Sequence, residues 1–283
     1  MNPVFRHLGR LIPRNLRNWF KSPSRTLRWW ILSRQPDVTY AVPGGDCSFR
    51  CPPLAVENAF RGQFEDPEQT VEFRDFLELI RPIRSPLFFD LGTHFGLFSH
   101  VVMARSGGEG RAIAVDPAGT ACSMVRRIAS LNGWTDRLTV IQAAMGGESG
   151  EVEMVDGGVL LAGYFMEAVD QPQGDRIRVP RVTIDELVHR IGCKPDLIKI
   201  DIEGFERDVF EGATETLTGA SIPVCLEIHN RYIRDAGGDP AQLLEKLRQM
   251  GYTRWTAGGR TITAEEILVR DLIRIVIRRA EVD

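Results

Sequence analysis

From Pro86 onward, apolar runs of strand length alternate with runs of helix length. "LFFDLG" reads as a strand, "FGLFSHVVMARSG" as a helix, "GRAIAVDP" as a strand, "TACSMVRRIASLNG" as a helix and "LTVIQAAMG" as a strand. This βαβαβ order constrains the chain more than any other feature. Right-handed crossovers leave a parallel, doubly wound sheet as its compact solution. The alternation continues. "GEVEMVD" allows a small added strand, and "RVTIDELVHRIG" opens a helix with Thr183 and Glu186 at capping-box spacing. In "DLIKIDIEGFE", Ile198, Ile200 and Ile202 alternate with Lys199, Asp201 and Glu203, which is the period of a strand. A helix with Phe205, Val209 and Ala213 on one face follows. "IPVCLEIH", "YTRWTA" and "DLIRIVIRRA" then read as strands, with the helix "DPAQLLEKLRQMG" among them. We expect an α/β fold, a seven-stranded, mostly parallel, Rossmann-like sheet over about residues 80–283.

Charge divides the chain differently. Residues 1–36 hold eight Arg or Lys and no acid, whereas the remainder holds 27 basic against 38 acidic residues. Arg6, Arg10, Arg14, Arg17, Lys21, Arg25 and Arg28 fall within an arc of roughly 100° on a helix, with Leu8, Leu11, Trp19, Trp29 and Trp30 mostly outside it. This is a basic amphipathic helical arm, broken at Pro13 and Pro23. Two uses fit it: contact with an anionic membrane surface, or packing on the acidic body of this chain or a second copy. Nucleic acid is not an expected partner, because residues 80–283 are acidic and lack interleaved basic and aromatic residues. Residues 37–65 read as an irregular connector. "DPEQTVEFRDFLELI" reads as a helix capped by Asp66 with Pro67 in its first turn. The expected division is thus 1–36, 37–79 and 80–283. No run of 18 apolar residues and no signal-peptide core is present, and five scattered cysteines suggest a reducing compartment. The expected location is the cytoplasm, with peripheral membrane contact through the arm.

The first chemical motif is "FFDLGTHFGLF". Asp90, Gly92, Thr93, His94, Phe95 and Gly96 lie between a strand and a helix, where glycines admit a ligand to free backbone N–H groups. The spacing is D-x-G-x-x-x-G. A pyrophosphate cradle needs its second glycine where His94 stands, so a dinucleotide fits poorly. An acid at the strand end repels phosphate and favours a cation. S-adenosyl-L-methionine carries a sulfonium and an ammonium group and no phosphate. Asp116 ends the next strand, 24 residues after Gly92, and can accept hydrogen bonds from ribose hydroxyls. Ala143, at the end of the third strand, completes the expected cofactor-binding set. Aspartate before Gly or Pro is also ordinary turn chemistry.

The second constellation is Lys199, Asp201 and Glu203 on one strand face and Glu227 and His229 on another. If those strands are neighbours, five ionisable groups meet at the sheet edge where α/β folds bind ligands. His229 is the natural general base near neutral pH, with Asp201 and Glu203 as rivals. Lys199 orients one of the acids. Lys199 and Glu227 read equally well as a structural ion pair. The same acids and His229 could hold a divalent cation, but we expect a metal-free acid/base site.

The pieces "FFDLGTHFGLFS", "AVDP", "TIDEL", "DLIKIDIEGFERDVFEGA" and "PVCLEIH", in this order over roughly residues 86–230, resemble the FkbM-type S-adenosylmethionine-dependent methyltransferases. The resemblance implies a class I methyltransferase fold and O-methylation of a hydroxyl on a sugar, glycolipid or polyketide-type product. His94 replaces the family's usual asparagine, and Asp116 its usual glutamate. The acceptor is then a small molecule or lipid-linked sugar, chosen by residues 157–180 and the first 80 residues. The competing functions are a nicotinamide-dependent oxidoreductase and a non-catalytic binding module on the same kind of sheet.

Overall fold

A computed structural model describes residues 31–156, 164–165 and 176–280. Nearly all of the expected basic arm, and most of the expected acceptor loop, lie outside them.

Among the described residues, the first strands form a hairpin, β1 (Val38–Ala41) and β2 (Ser48–Cys51). A helical stretch follows: α1 (Pro53–Ala55), a π-helical turn over Val56–Phe60, and α2 (Gly62–Glu65). The segment read as an irregular connector is therefore ordered. Phe49, Phe60 and Ala55 from it are buried in the same core as the sheet. The sequence gives little sign of this because the strands are four residues long and "VPGGDC" dominates the pattern. Next comes α3 (Pro67–Ile80), whose Asp66 side chain accepts the N–H groups of Glu68 and Gln69. Phe73, Phe76, Leu77 and Ile80 form its buried face.

The main sheet contains β3 (Leu87–Leu91), β4 (Arg111–Asp116), β5 (Leu138–Gln142), β10 (Leu197–Ile200), β11 (Val224–Ile228), β12 (Tyr252–Ala257), β13 (Arg260–Thr261) and β14 (Ile273–Arg279). Their order is β13-β12-β14-β11-β10-β3-β4-β5. The five strands from β11 to β5 are parallel, and β14 inserts antiparallel between β11 and β12. Apart from the two-residue β13, this is the expected seven-stranded sheet.

A second sheet, ordered β6-β9-β7-β8, is built from β6 (Ala144–Met145), β7 (Gly150–Asp156), β8 (Tyr164–Phe165) and β9 (Arg176–Val182). The continuous strand expected over "LTVIQAAMG" therefore divides. The Ala143 N–H still reaches the Asp116 carbonyl, but Ala144 and Met145 pair with β9.

Helices cover both faces of the main sheet. α3, α4 (Leu97–Arg105) and α5 (Gly119–Leu131) share one core with the hairpin. The other core holds α6 (Ile184–Ile191), α7 (Glu206–Glu211), α8 (Thr214–Leu217), α9 (Asn230–Asp235), α10 (Pro240–Gln249) and α11 (Ala264–Leu268). The capping box at Thr183 is half made. Thr183 accepts the Glu186 N–H, but the Glu186 carboxylate turns to Ser149 and Arg190. The helix after β10 is also short. Phe205 is the N-cap of α7, and Ala213 begins α8 after a break.

Candidate active site

β3, β10 and β11 are adjacent and parallel, so their C-terminal ends share one edge. Lys199 pairs in register with Asp90 on β3 and with Cys225 on β11. Two residues on, Glu227 lies opposite Arg274 of β14. Side chains two apart leave the same face. Asp90, Lys199, Glu227 and Arg274 accordingly line one cleft of about 480 Å³. Its opposite wall is Asn58, Gln63, Gln69 and Glu72 from the π-helical turn, α2 and α3.

The strand expected through Glu203 stops at Ile200. Asp201 donates its N–H to the Leu91 carbonyl, the last link to β3, and pairing with β11 also ends at Ile200 although β11 itself runs on to Ile228. Glu203 then adopts φ +56° and Gly204 φ +103°, which reverses the chain into α7. Glu203 therefore reaches the cleft from a turn. Likewise β11 ends at Ile228, and His229 is the N-cap of α9.

Burial and charge set the protonation of this cluster. Lys199 is 4% exposed. Its Nζ lies 3.1 Å from Asp201 Oδ2, 3.8 Å from Glu72 Oε1 and 4.9 Å above the Phe98 ring. Burial opposes the ammonium charge, but Asp201, Glu72, Glu227 and Asp90 outweigh it and raise the pKa. Burial raises the Asp201 carboxyl, while Lys199 and His229 bring it below its ordinary value. Glu227 is pushed well up by burial and by Asp201 and Glu72, despite its ion pair with Arg274. Burial also raises Glu203 and Glu72.

His229 sits at the centre. Its Nδ1 is 2.7 Å from Oε1 of Glu206, a residue with no exposed surface, and its ring stacks on Tyr232. Nε2 lies 3.8 Å from Asp201 Oδ1, 3.8 Å from Glu227 Oε1 and 3.9 Å from Glu203 Oε2. Burial alone would lower the imidazole pKa, but the Glu206 hydrogen bond and charge, with Asp201 and Glu227, raise it to about 9. These partners favour the protonated ring. For His229 to act as the general base expected from the sequence, the ring must first give up that proton.

The glycine loop holds itself together by backbone contacts. Gly92 has φ +79°, and a Cβ there would lie 1.7 Å from the Asp201 carbonyl oxygen. The absence of a side chain thus lets the chain just past β10 approach, and Gly92 also lines the cleft. His94 has φ +50°, a region in which His and Asn are enriched, and burial lowers its pKa to about 4. Gly96, at φ +78°, begins α4 above His100 and Val125.

Asp116 accepts the N–H groups of His94 and Ala118, both at 2.8 Å, so its carboxylate braces the loop. Burial raises its pKa to about 7. Asp90, Gly92, Thr93, His94 and Phe95 line the cleft, whereas Gly96, Asp116 and Ala143 are not among its lining residues. Asp90 is 1% exposed, and its Oδ2 accepts from Thr93 Oγ1 and from Ser99. Its Oδ1 is buried without a hydrogen-bond partner.

Sequence reasoning missed Glu72, Arg274 and Glu206. Glu72 and Asp75 are acids on the otherwise apolar face of α3, and Arg274 interrupts the apolar run of β14. Charges in such positions are costly without partners, and that was the available signal. Glu206 stood inside the "IEGFE" stretch, but nothing local distinguishes it from a first-turn helix acid.

Comparisons with known proteins bear on this geometry. The chain is similar to the FkbM methyltransferase of Methylobacillus flagellatus, at 16% identity over 69% of this chain and 44% of that one, with a TM-score of 0.46. It therefore spans less than half of that protein's length. It is also similar to a precorrin-6y C5,15-methyltransferase of Geobacter metallireducens, at 13% identity over 76% of this chain and 90% of that one, TM-score 0.42. A third is a SAM-dependent O-methyltransferase of Thermotoga maritima, at 9% identity over 74% and 66% of the two chains, TM-score 0.40. No curated protein matches the sequence. The model of the methyltransferase FkbM domain matches residues 90–254, which run from Asp90 through Asp201 and His229 into β12 and leave out Glu72 and Arg274. With more than half of its length matched, the chain belongs to the FkbM methyltransferase family.

Proposed function

We propose that this protein is an S-adenosylmethionine-dependent O-methyltransferase acting on a hydroxyl of a sugar or lipid-linked sugar. The observation that carries the reading is the Asp90 carboxylate. Its Oδ1 is buried and unpartnered at the mouth of the glycine loop, in the same cleft as the acid cluster. A buried acceptor without a donor is costly, and the α-ammonium group of S-adenosylmethionine is a donor of the required charge. The residues present therefore fit this cofactor.

Bound S-adenosylmethionine supplies an electrophilic methyl group on a sulfonium sulfur. The protein's contribution is to orient the acceptor and to take its proton. Glu203, partly exposed to the cleft and raised by burial, is the carboxylate best suited to accept that proton. With the cofactor held at Asp90, its methyl group would be the one transferred to the acceptor oxygen, and Glu203 would hold the O–H proton. Lys199 holds Asp201 in place, and the amides of Asn58, Gln63 and Gln69 face the cleft as hydrogen-bonding groups for a polyol. An acceptor held near the reacting methyl needs little more than positioning and a base.

The basic residues 6–28 would keep the enzyme near a membrane-borne acceptor, and a cytoplasmic, peripheral location follows from that reading. Loss of binding to anionic vesicles when residues 1–36 are deleted would support it; unchanged binding would refute it. The cofactor reading is tested by calorimetric titration with S-adenosylhomocysteine and with NAD⁺. Saturable binding of the first alone, weakened at least tenfold by Asp90→Asn, is expected. Binding of NAD⁺ alone would overturn it.

A further inference from the structure

We propose that Asp201, Glu227 and His229 form a binding site for one divalent cation of the Mn²⁺ or Mg²⁺ class, beside the methyl-transfer position. The donor atoms of these three residues lie within 4.8 Å of one another. They come from two neighbouring strand ends, so the main sheet fixes their separation.

The geometry around His229 is that of a cage with a gap. Carboxylate oxygens ring Nε2 at 3.8, 3.8 and 3.9 Å, too far for hydrogen bonds. A metal with bonds of about 2.0–2.4 Å, at angles between octahedral and tetrahedral, sets its donors roughly 2.8–3.9 Å apart. The observed spacing sits at the upper end of that range, so a small inward movement of the side chains closes the shell. Nδ1, on the far side of the ring, is held by the buried Glu206 carboxylate. A carboxylate behind a ligating histidine is the usual second layer of a metal site, because it fixes the ring and strengthens Nε2 as a donor. Arg274 fixes Glu227 in the same manner.

A second, independent observation points the same way. Glu72 is 7% exposed and lines the same cleft from α3. Its Oε1 is buried and accepts no hydrogen bond, and the cation nearest to it, Lys199 Nζ, stands 3.8 Å away. Six carboxylates surround this region, from Glu72, Asp90, Asp201, Glu203, Glu206 and Glu227. Lys199, Arg274 and, while it keeps its proton, the His229 ring stand against them. S-adenosylmethionine would add one net positive charge. An excess of buried negative charge is unfavourable without a compensating cation. One His and two carboxylates, with water completing the shell, suit Mn²⁺ or Mg²⁺ better than a thiolate-seeking metal.

Cation binding stands on this geometry alone. Its use, lowering the pKa of an acceptor hydroxyl so that Glu203 takes the proton more readily, rests on the methyl-transfer reading above. Residue spacing does not separate a metal site from the metal-free site expected from the sequence, because it does not contain the ring of oxygens around Nε2.

The test uses Mn²⁺ and the full-length protein freed of metal by chelation. Depletion of the free-Mn²⁺ paramagnetic resonance signal should report one site per chain, with binding weakened at least tenfold in Asp201→Asn and in His229→Gln. Electron spin-echo modulation should reveal one directly bound nitrogen in the wild type. That last measurement decides the matter even if a variant misfolds. No Mn²⁺ depletion with or without S-adenosylhomocysteine, or binding without nitrogen coupling, overturns the proposal. Calorimetry with S-adenosylhomocysteine in chelator runs in parallel. Cofactor binding without Mn²⁺ binding defeats the cation site alone, and the converse defeats the cofactor reading alone.

Discussion

Replacing Glu206 by glutamine should weaken the hold of His229 on its proton. The Nδ1–Oε1 separation is 2.7 Å, and Glu206 has no exposed surface. Moving the imidazole pKa from 6.5 to about 9 corresponds to about 3 kcal/mol of preference for the charged ring. A hydrogen bond between charged partners contributes roughly 1.5–3 kcal/mol. Glu206→Gln preserves the shape and an acceptor for the Gly204 N–H, and removes the charge. It should therefore lower the His229 pKa by about 1–2 pH units. The assay is a proton–carbon NMR titration of ¹³C-labelled histidine in chelator, with His229→Gln identifying the resonance among five. Stability offers a second readout. The folded pKa lies above the unfolded one, so this stabilisation is complete below pH 6.5 and is lost as the pH rises through 9. Denaturant unfolding of the wild type should weaken across that window, and Glu206→Gln should flatten the dependence. A wild-type ring titrating below pH 7, or one unmoved by the substitution, would refute the assignment of Glu206 as the group that positions and charges His229.

Three further outcomes are expected. Gly92→Ala should cost roughly 3 kcal/mol or more in thermal unfolding, because its Cβ would meet the Asp201 carbonyl oxygen at 1.7 Å; a near-neutral melt would contradict the tight β3–β10 approach. Lys199→Met removes the cation between Glu72 and Asp201 and should cost about 3–5 kcal/mol in urea unfolding, so a loss under about 1 kcal/mol would mean that the cluster rearranges cheaply. His100 is fully buried, its ring nitrogens make no hydrogen bond of normal geometry, and burial lowers its pKa to about 3 against an opposing contribution from the Phe95 backbone. The ring is tolerated fully only above its unfolded pKa of 6.5, and stability is lost as the pH falls toward 3. His100→Phe should therefore gain about 1 kcal/mol at pH 7, with an advantage that widens below pH 6.5; a constant difference across pH would show that the imidazole escapes its burial.

Much of the architecture could be read from hydrophobic period alone. The parallel strands of the main sheet are short apolar runs separated by amphipathic helices, and that alternation admits few compact solutions. Asp66 before Pro67 marked the start of α3 because capping is a local interaction. Local period failed where partners are distant. "LTVIQAAMG" reads as one strand, yet its last residues belong to another sheet, since only β9 offers them backbone partners. The β1–β2 hairpin is legible only once its phenylalanine is seen against α4 and Trp134.

The site divides along the same line. The sequence by itself determined that acids and a histidine end adjacent strands, because alternation assigns each residue to a face. Only tertiary structure decided what those groups are. Glu72 arrives from a helix more than a hundred residues before Lys199, Arg274 from the antiparallel strand beyond β11, and Glu206 from the first turn of α7, against the His229 ring. The charge on an ionisable side chain follows from its burial and from the partners within a few ångströms. Those distances come into being when the chain closes, so the sequence named candidates for the chemistry and the fold set their protonation.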